Sequence, residues 1–201
     1  MAEPPIAAET VHDTVPLPLG TSVYIRVIKI RPSAVADSSD RIACDFSIID
    51  VNNGSLYHLA TALPLSGSVQ YTALSYMWGA AIADHTIDLN GTPFLVRKNL
   101  WTFLDRARTD GFEGYLWIDA LCIDQTRVGE RNHQVALMGN IYSHAEGVIV
   151  WLGHVCEDIE NAITAISGAY APEKLPLSAM AQHTSGIQRF CQLEYWRRAW
   201  M

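Results

Sequence analysis

The sequence predicts an α/β protein: a parallel sheet flanked by helices, with a β-rich N-terminal segment and a hairpin insertion. Three observations carry that prediction. Residues 115–121 and 148–152 are short apolar runs joined through a helical pattern at residues 130–146, the layout of a βαβ unit with buried parallel strands. A third run, residues 71–77, reads as the first strand of the same sheet, followed by its own helix at residues 99–109. Between them, residues 82–96 alternate about Asn90-Gly91, the strongest short-range signal for a hairpin.

Taken in order, residues 1–20 carry four prolines and few large apolar groups, and are expected to be a flexible lead. Residues 21–70 form the β-rich segment. Within it, residues 23–30 alternate as a strand, residues 42–51 do so less cleanly, and Asn52-Asn53-Gly54 turns the chain into a strand at residues 55–61. Residues 63–70 read as a linker, and the α/β domain proper is expected over residues 71–201. In the helix at residues 99–109, Leu100, Phe103, Leu104 and Ala107 share one face, with Asn99 as its cap. The helix at residues 130–146 turns Val135, Met138, Ile141, Tyr142 and Ala145 inward and Arg131, Gln134, Asn140 and Ser143 outward, with Gly147 as a left-handed C-terminal cap. Residues 156–168 and 187–200 give two further helical patterns, separated by a loop-like stretch at residues 169–185.

Composition narrows the function. The chain has 201 residues, 49% apolar and 17% charged, which is the balance of a globular protein. A net charge of −7 without a basic run argues against nucleic-acid or anionic-membrane partners. No apolar stretch approaches the ~20 residues of a membrane span, and the N-terminus lacks the basic and apolar regions of a signal peptide. Four cysteines without a CxxC pair read as reduced thiols of a cytoplasmic protein, and the scattered histidines show no zinc spacing, so no metal is expected.

Asp119 is the anomaly of the central strand, because a carboxylate inside an apolar run costs several kcal/mol unless it is paired or hydrogen-bonded. Two roles fit it: ordering the turn at residues 122–126 through backbone N–H bonds, or contacting a ligand. Ligand crevices of open α/β sheets lie beyond the carboxyl ends of parallel strands, where Asp119, Asp124 and Gln125 fall. Trp78, Trp117 and Trp151 sit at the predicted strands, as core or as a stacking wall for an adenine or nicotinamide ring. Gly129 and Glu130 open a helix; the glycine would leave N–H groups for a phosphate, while the glutamate suits the helix dipole. No Ser-His-Asp or Cys-His order and no glycine-rich phosphate loop is legible, so no catalytic residue is assigned.

LSYMWG at residues 74–79, NLW at 99–101, LWIDALCIDQ at 116–125, ER-x-x-QV-x-LM-x-x-IY at 130–142 and VIVWLG at 148–153 occur in one order. Together they resemble the fungal heterokaryon incompatibility (HET) domain, whose usual pattern has Asn where this chain has Asp124. The resemblance implies a protein of self/non-self recognition and cell-death signalling. It also implies a TIR-like, flavodoxin-type core that works through protein partners, self-association included. It places a crevice at Ser75, Tyr76, Trp78, Gly79, Trp117, Asp119, Asp124 and Gln125, with Glu130, Arg131, Gln134, Tyr142 and Trp151 as further motif residues. TIR domains can hydrolyse NAD+, which makes NAD+ a candidate substrate, with no resident cofactor. The carboxylate for that chemistry is expected in a W-x-x-R-x-W-x-x-Q-E stretch. Trp196, Arg197 or Arg198, and Trp200 match its first part, and the sequence stops at Met201 before a Gln-Glu. On this reading the domain is C-terminally incomplete, and residues 1–201 are not expected to turn over NAD+. A truncated product without activity of its own is the remaining reading.

Overall fold

The computed structural model describes residues 10–18, 23–32, 41–58, 63–168 and 177–197. Nine strands form one sheet in the order β4-β3-β2-β1-β8-β5-β9, with β6 and β7 branching from β2. The strands are β1 (Tyr24–Ile30), β2 (Ala43–Asp50), β3 (Ser55–His58), β4 (Leu63–Ser68), β5 (Tyr71–Tyr76), β6 (Ala83–Leu89), β7 (Thr92–Arg97), β8 (Tyr115–Trp117) and β9 (Gly147–Trp151). The helices are α1 (Lys98–Thr109), α2 (Asp119–Cys122), α3 (Val128–Ala136), α4 (Met138–His144), α5 (Glu157–Gly168) and α6 (Leu177–Cys191). The α/β class holds, and the sheet is mixed. β5 runs parallel to β8 and β2 to β6, whereas β1 is antiparallel to both β2 and β8.

β1 therefore lies inside the sheet, and its alternation gives way to near-continuous burial of Ile25, Arg26, Val27 and Ile28. It joins the N-terminal strands directly to the α/β core at Ile28↔Leu116. The β6–β7 hairpin turns at Asn90 (φ 53) and Gly91 (φ 81), the paired left-handed residues that an Asn-Gly turn supplies. α1 buries Leu100, Phe103, Leu104 and Ala107 as its spacing predicts. Asn99 is not its cap: Arg97 holds that position, and Asn99 Nδ2 donates to Met77 O at 2.5 Å.

Other expectations are corrected. The strand expected at residues 115–121 ends at Trp117, because Asp119 opens α2 and its Oδ1 accepts the Ala120 N–H at 2.7 Å. The helix expected at residues 130–146 is two helices, broken at Leu137. Ahead of the break the inward face is shifted by one residue: Gln134 is 2% exposed and Val135 52%. Gln134 is satisfied there by donating to Tyr24 O at 3.2 Å. Gly147 caps nothing; the chain leaves α4 through an extended Ala145, and Gly147 begins β9. β9 is the last strand of the sheet path, so Val148 and Val150 are exposed rather than buried. Residues 63–68 form β4, where a linker was expected. The lead read as flexible contains a 3₁₀ turn, Val11–Thr14, with Val11, His12 and Val15 buried. Its first nine residues lie outside the described ones.

The chain divides into two compact units, residues 1–150 and 151–201. In the second unit α5 packs on α6, with Ile159 and Ala162 buried. The last helix starts at Leu177, earlier than the pattern at residues 187–200 suggests, because apolar and small residues also fit a helix through part of the stretch read as loop. It ends at Cys191, and a 3₁₀ turn, Glu194–Arg197, follows. There Trp196 packs edge-on against Phe190 and Tyr195, and its Nε1 donates to Phe190 O at 2.7 Å. Arg198 and Trp200 lie outside the described residues.

Candidate functional site

The parallel strands β5 and β8 deliver their carboxyl ends to one place. Beyond β5, Trp78 points its indole Nε1 at Asp119 Oδ2, 3.0 Å away. Gly79 then turns with φ 71, a conformation that favours glycine. Arg97, at the end of the hairpin, lies 5.0 Å over the Trp78 ring and donates to Gly79 O at 3.2 Å. On the other side, Gln125 Nε2 donates to Asp119 O at 3.0 Å. These groups frame a crevice of about 140 Å³ between Ala120 of α2 and Gln125 of the loop after it, and the hairpin residues Phe94, Leu95, Val96 and Arg97.

The Asp119 carboxylate accepts the Ala120 N–H and the Trp78 indole N–H, tying the ends of β5 and β8 together, and its main-chain carbonyl accepts from Gln125 in the loop. Tyr76, Trp78 and Gln125 line the crevice. Trp117 is no accessible stacking wall: it is fully buried, edge-on to Tyr142, and its Nε1 lacks a hydrogen-bond partner among the described residues. Ser75 is half-buried on β5 and does not line the crevice. Tyr142 OH donates to Leu74 O at 3.0 Å, and Arg131 reaches Gln125 O at 3.4 Å, so both support the site from outside it. Trp151 falls in the second unit.

Asp124 belongs to the opposite face of the same loop. It is buried, and its Oδ1 accepts the Thr126 N–H at 2.9 Å and the Thr126 hydroxyl at 2.6 Å. Burial pushes its carboxyl up, but those two bonds outweigh that and hold it below its ordinary 3.8. Beside it, Arg26 reaches out of β1 and is 2% exposed. Its Nη1 and Nη2 donate to Glu130 at 2.5 and 3.2 Å, Nη1 also to Cys122 O at 3.1 Å, and Nε to Val15 O at 2.7 Å. Glu130 additionally accepts the Asp124 N–H at 2.8 Å. Burial raises the Glu130 carboxyl, but the Arg26 and Asp124 bonds prevail and the net shift is below 4.5. His12 Nε2 donates to Leu121 O at 2.8 Å, and burial lowers its pKa below 6.5 against the opposing pull of that bond. A cleft of about 570 Å³ opens alongside, between Pro16, Leu17 and Pro18 and the α3 residues Gly129, Glu130, His133 and Gln134.

Residues 71–201 match the family model described as Heterokaryon incompatibility protein (HET). The chain belongs to the HET family. It is 32% identical over 148 residues to "Heterokaryon incompatibility protein 6, OR allele" of Neurospora crassa. That match covers 67% of this chain and 22% of the relative, so the chain spans about a fifth of the length of the curated protein it matches. No solved structure matches. The HET match contains the whole crevice and Glu130 but begins downstream of Arg26 and His12.

Those two residues are what the motifs leave out. Arg26 carries a readable signal, a charge at a core position of the VYIRVIKI run, the same anomaly as Asp119. His12 carries none, because nothing local marks a short proline-flanked lead as docked. Chemically, the crevice offers an aromatic face, a guanidinium and an amide. It is smaller than the ~300–1,000 Å³ of typical ligand pockets, so it fits a ring or a side chain rather than a whole dinucleotide. Glu130, in the first turn of α3, is a carboxylate ion-paired with Arg26 and bonded to the Asp124 N–H, and its negative charge disfavours a phosphate beside Gly129.

Proposed function

We propose that this chain is a recognition and signalling module of the heterokaryon incompatibility type, acting in the cytoplasm through protein–protein association, self-association included, and leading to cell death. The observation that carries the reading is the HET match over residues 71–201. The shape of the crevice supports it, since a ring-sized cavity walled by Trp78, Phe94 and Arg97 suits an aromatic or apolar side chain of a partner. The test is inducible expression of the chain in fungal hyphae, scoring compartments that admit a membrane-impermeant dye. Death above the empty-vector level, lost in Trp78→Ala, is expected. Dye uptake at the vector level, together with a monomer by light scattering, would remove the reading.

A second reading, NAD+ hydrolysis in the TIR manner, draws on the convergence of Trp78 and Asp119 at the ends of two parallel strands. Against it, both Asp119 oxygens are engaged in hydrogen bonds and the crevice is small. Purified chain incubated with NAD+ is expected to release nicotinamide no faster than buffer. Release that disappears in Asp119→Asn would establish the second reading instead.

A further inference from the structure

The crevice has two walls, and one short segment stands behind both. Residues 10–15 bond to α2 and the loop that follows it at three points: His12 to Leu121 O at 2.8 Å, Thr10 Oγ1 to Asp124 Oδ2 at 3.3 Å, and Asp13 in an ion pair with Arg127. The same stretch presents Ala120 and Gln125 to the crevice. Toward the hairpin, the His12 ring lies 6.2 Å from that of Phe94, edge to face, and Thr14 Oγ1 accepts from Asn90 Nδ2 at 3.1 Å. Phe94 is itself a crevice wall. Arg26 completes the arrangement. It holds the segment through the Val15 carbonyl and the loop through Cys122 O and Glu130.

We propose that residues 10–15 are a strap that sets the separation of the two crevice walls, so that occupancy of the crevice and docking of the strap are energetically coupled. The attachment suits a device that can let go. It consists of a single 3₁₀ turn, Val11–Thr14, held mainly by hydrogen bonds, with Val11, His12 and Val15 as its buried anchors. Such a segment detaches at far lower cost than a core strand, because local opening scales with the contacts broken. The 570 Å³ cleft lies where the strap runs on into Pro16, Leu17 and Pro18, so space already separates its exit from α3. By linkage, whatever tightens the strap favours the crevice geometry it holds, and a ligand that needs a wider crevice weakens the strap equally.

Hydrogen exchange of the full chain, read by mass spectrometry, tests this without reference to the ligand. Two variants are compared with wild type: Val11→Asp, which expels the apolar anchor, and Thr10→Val/Asp13→Asn, which removes the contacts to Asp124 and Arg127 together with the Thr10–Asp13 cap of the strap's own turn. Amides of residues 118–131 and 90–97 are expected to exchange about tenfold faster, the scale of one or two lost hydrogen bonds, while α1 keeps its wild-type rate. Wild-type rates in the loop and hairpin, whatever the strap does, would overturn the proposal. So would uniform acceleration of every segment in both variants, since the strap would then be part of the core. The relevance of the crevice rests on the recognition reading. If the exchange result holds while the same variants leave hyphal death unchanged, the strap stands and that reading of the crevice fails.

Discussion

Asp119 and Arg26 are charged residues that interrupt apolar runs of the sequence, and the fold treats them differently. Asp119 lies beyond the end of β8, as the first residue of α2, and ties that helix to Trp78. Asp119→Ala is expected to cost about 1.5–3 kcal/mol in denaturant unfolding, the range for hydrogen bonds to a charged group. Combined with Trp78→Phe, it should show non-additivity of about 0.5 kcal/mol or more, since the two share one bond. Full additivity would mean that the indole bond contributes nothing. Arg26 remains in its strand and recruits Glu130 as a bidentate partner. Removing one member strands the other's charge, so Glu130→Ala is expected to destabilise by about 3–5 kcal/mol. A loss below 1 kcal/mol would show the pair to be dispensable.

His12 gives the same cluster a pH dependence of defined sign. Its folded pKa lies below 6.5, so the unfolded chain binds the extra proton more readily. The stability it contributes is present above pH 6.5 and is lost as pH falls through the lower, folded value. Asp124 and Glu130, lowered from 3.8 and 4.5, add a second loss at more acidic pH. His12→Gln can still donate a hydrogen bond but does not titrate. It should flatten the stability profile just below neutrality and leave the acid limb in place. An unchanged slope in that variant would assign the loss to another group.

At the scale of elements, periodicity and contact disagree in α3. The pattern that places Val135 inward assumes one unbroken helix, and the break at Leu137 removes that assumption. Val135→Gln is therefore expected to stay within about 0.5 kcal/mol of wild type, while Gln134→Ala, which abandons the Tyr24 carbonyl, should cost about 1–3 kcal/mol. Reversed magnitudes would restore the single-helix reading. The hairpin is the opposite case, where local chemistry suffices. Gly91 at φ 81 has open space around it, so Gly91→Ala suffers only from backbone strain. It should lose about 1–2 kcal/mol in the same unfolding measurement, and a neutral result would mean that the turn relaxes freely.

At the scale of the molecule, the class, the hairpin, the α1 face and the HET motifs follow from residues close together in sequence. Period, turn chemistry and motif order are local properties, and each is legible in the sequence alone. Gln125 and Trp78 were legible as crevice residues because strand ends are where α/β sheets bind. The rest depended on pairings that leave no local trace. β1 lies between β2 and β8, β6 branches from β2, and Trp117 is in the core instead of on the crevice. Arg26 meets Glu130 across 104 positions and His12 meets Leu121 across 109. A charge inside an apolar run announces that a partner is needed, because burial without one is costly. Which partner answers is decided only when the sheet closes and brings distant segments to hydrogen-bond distance.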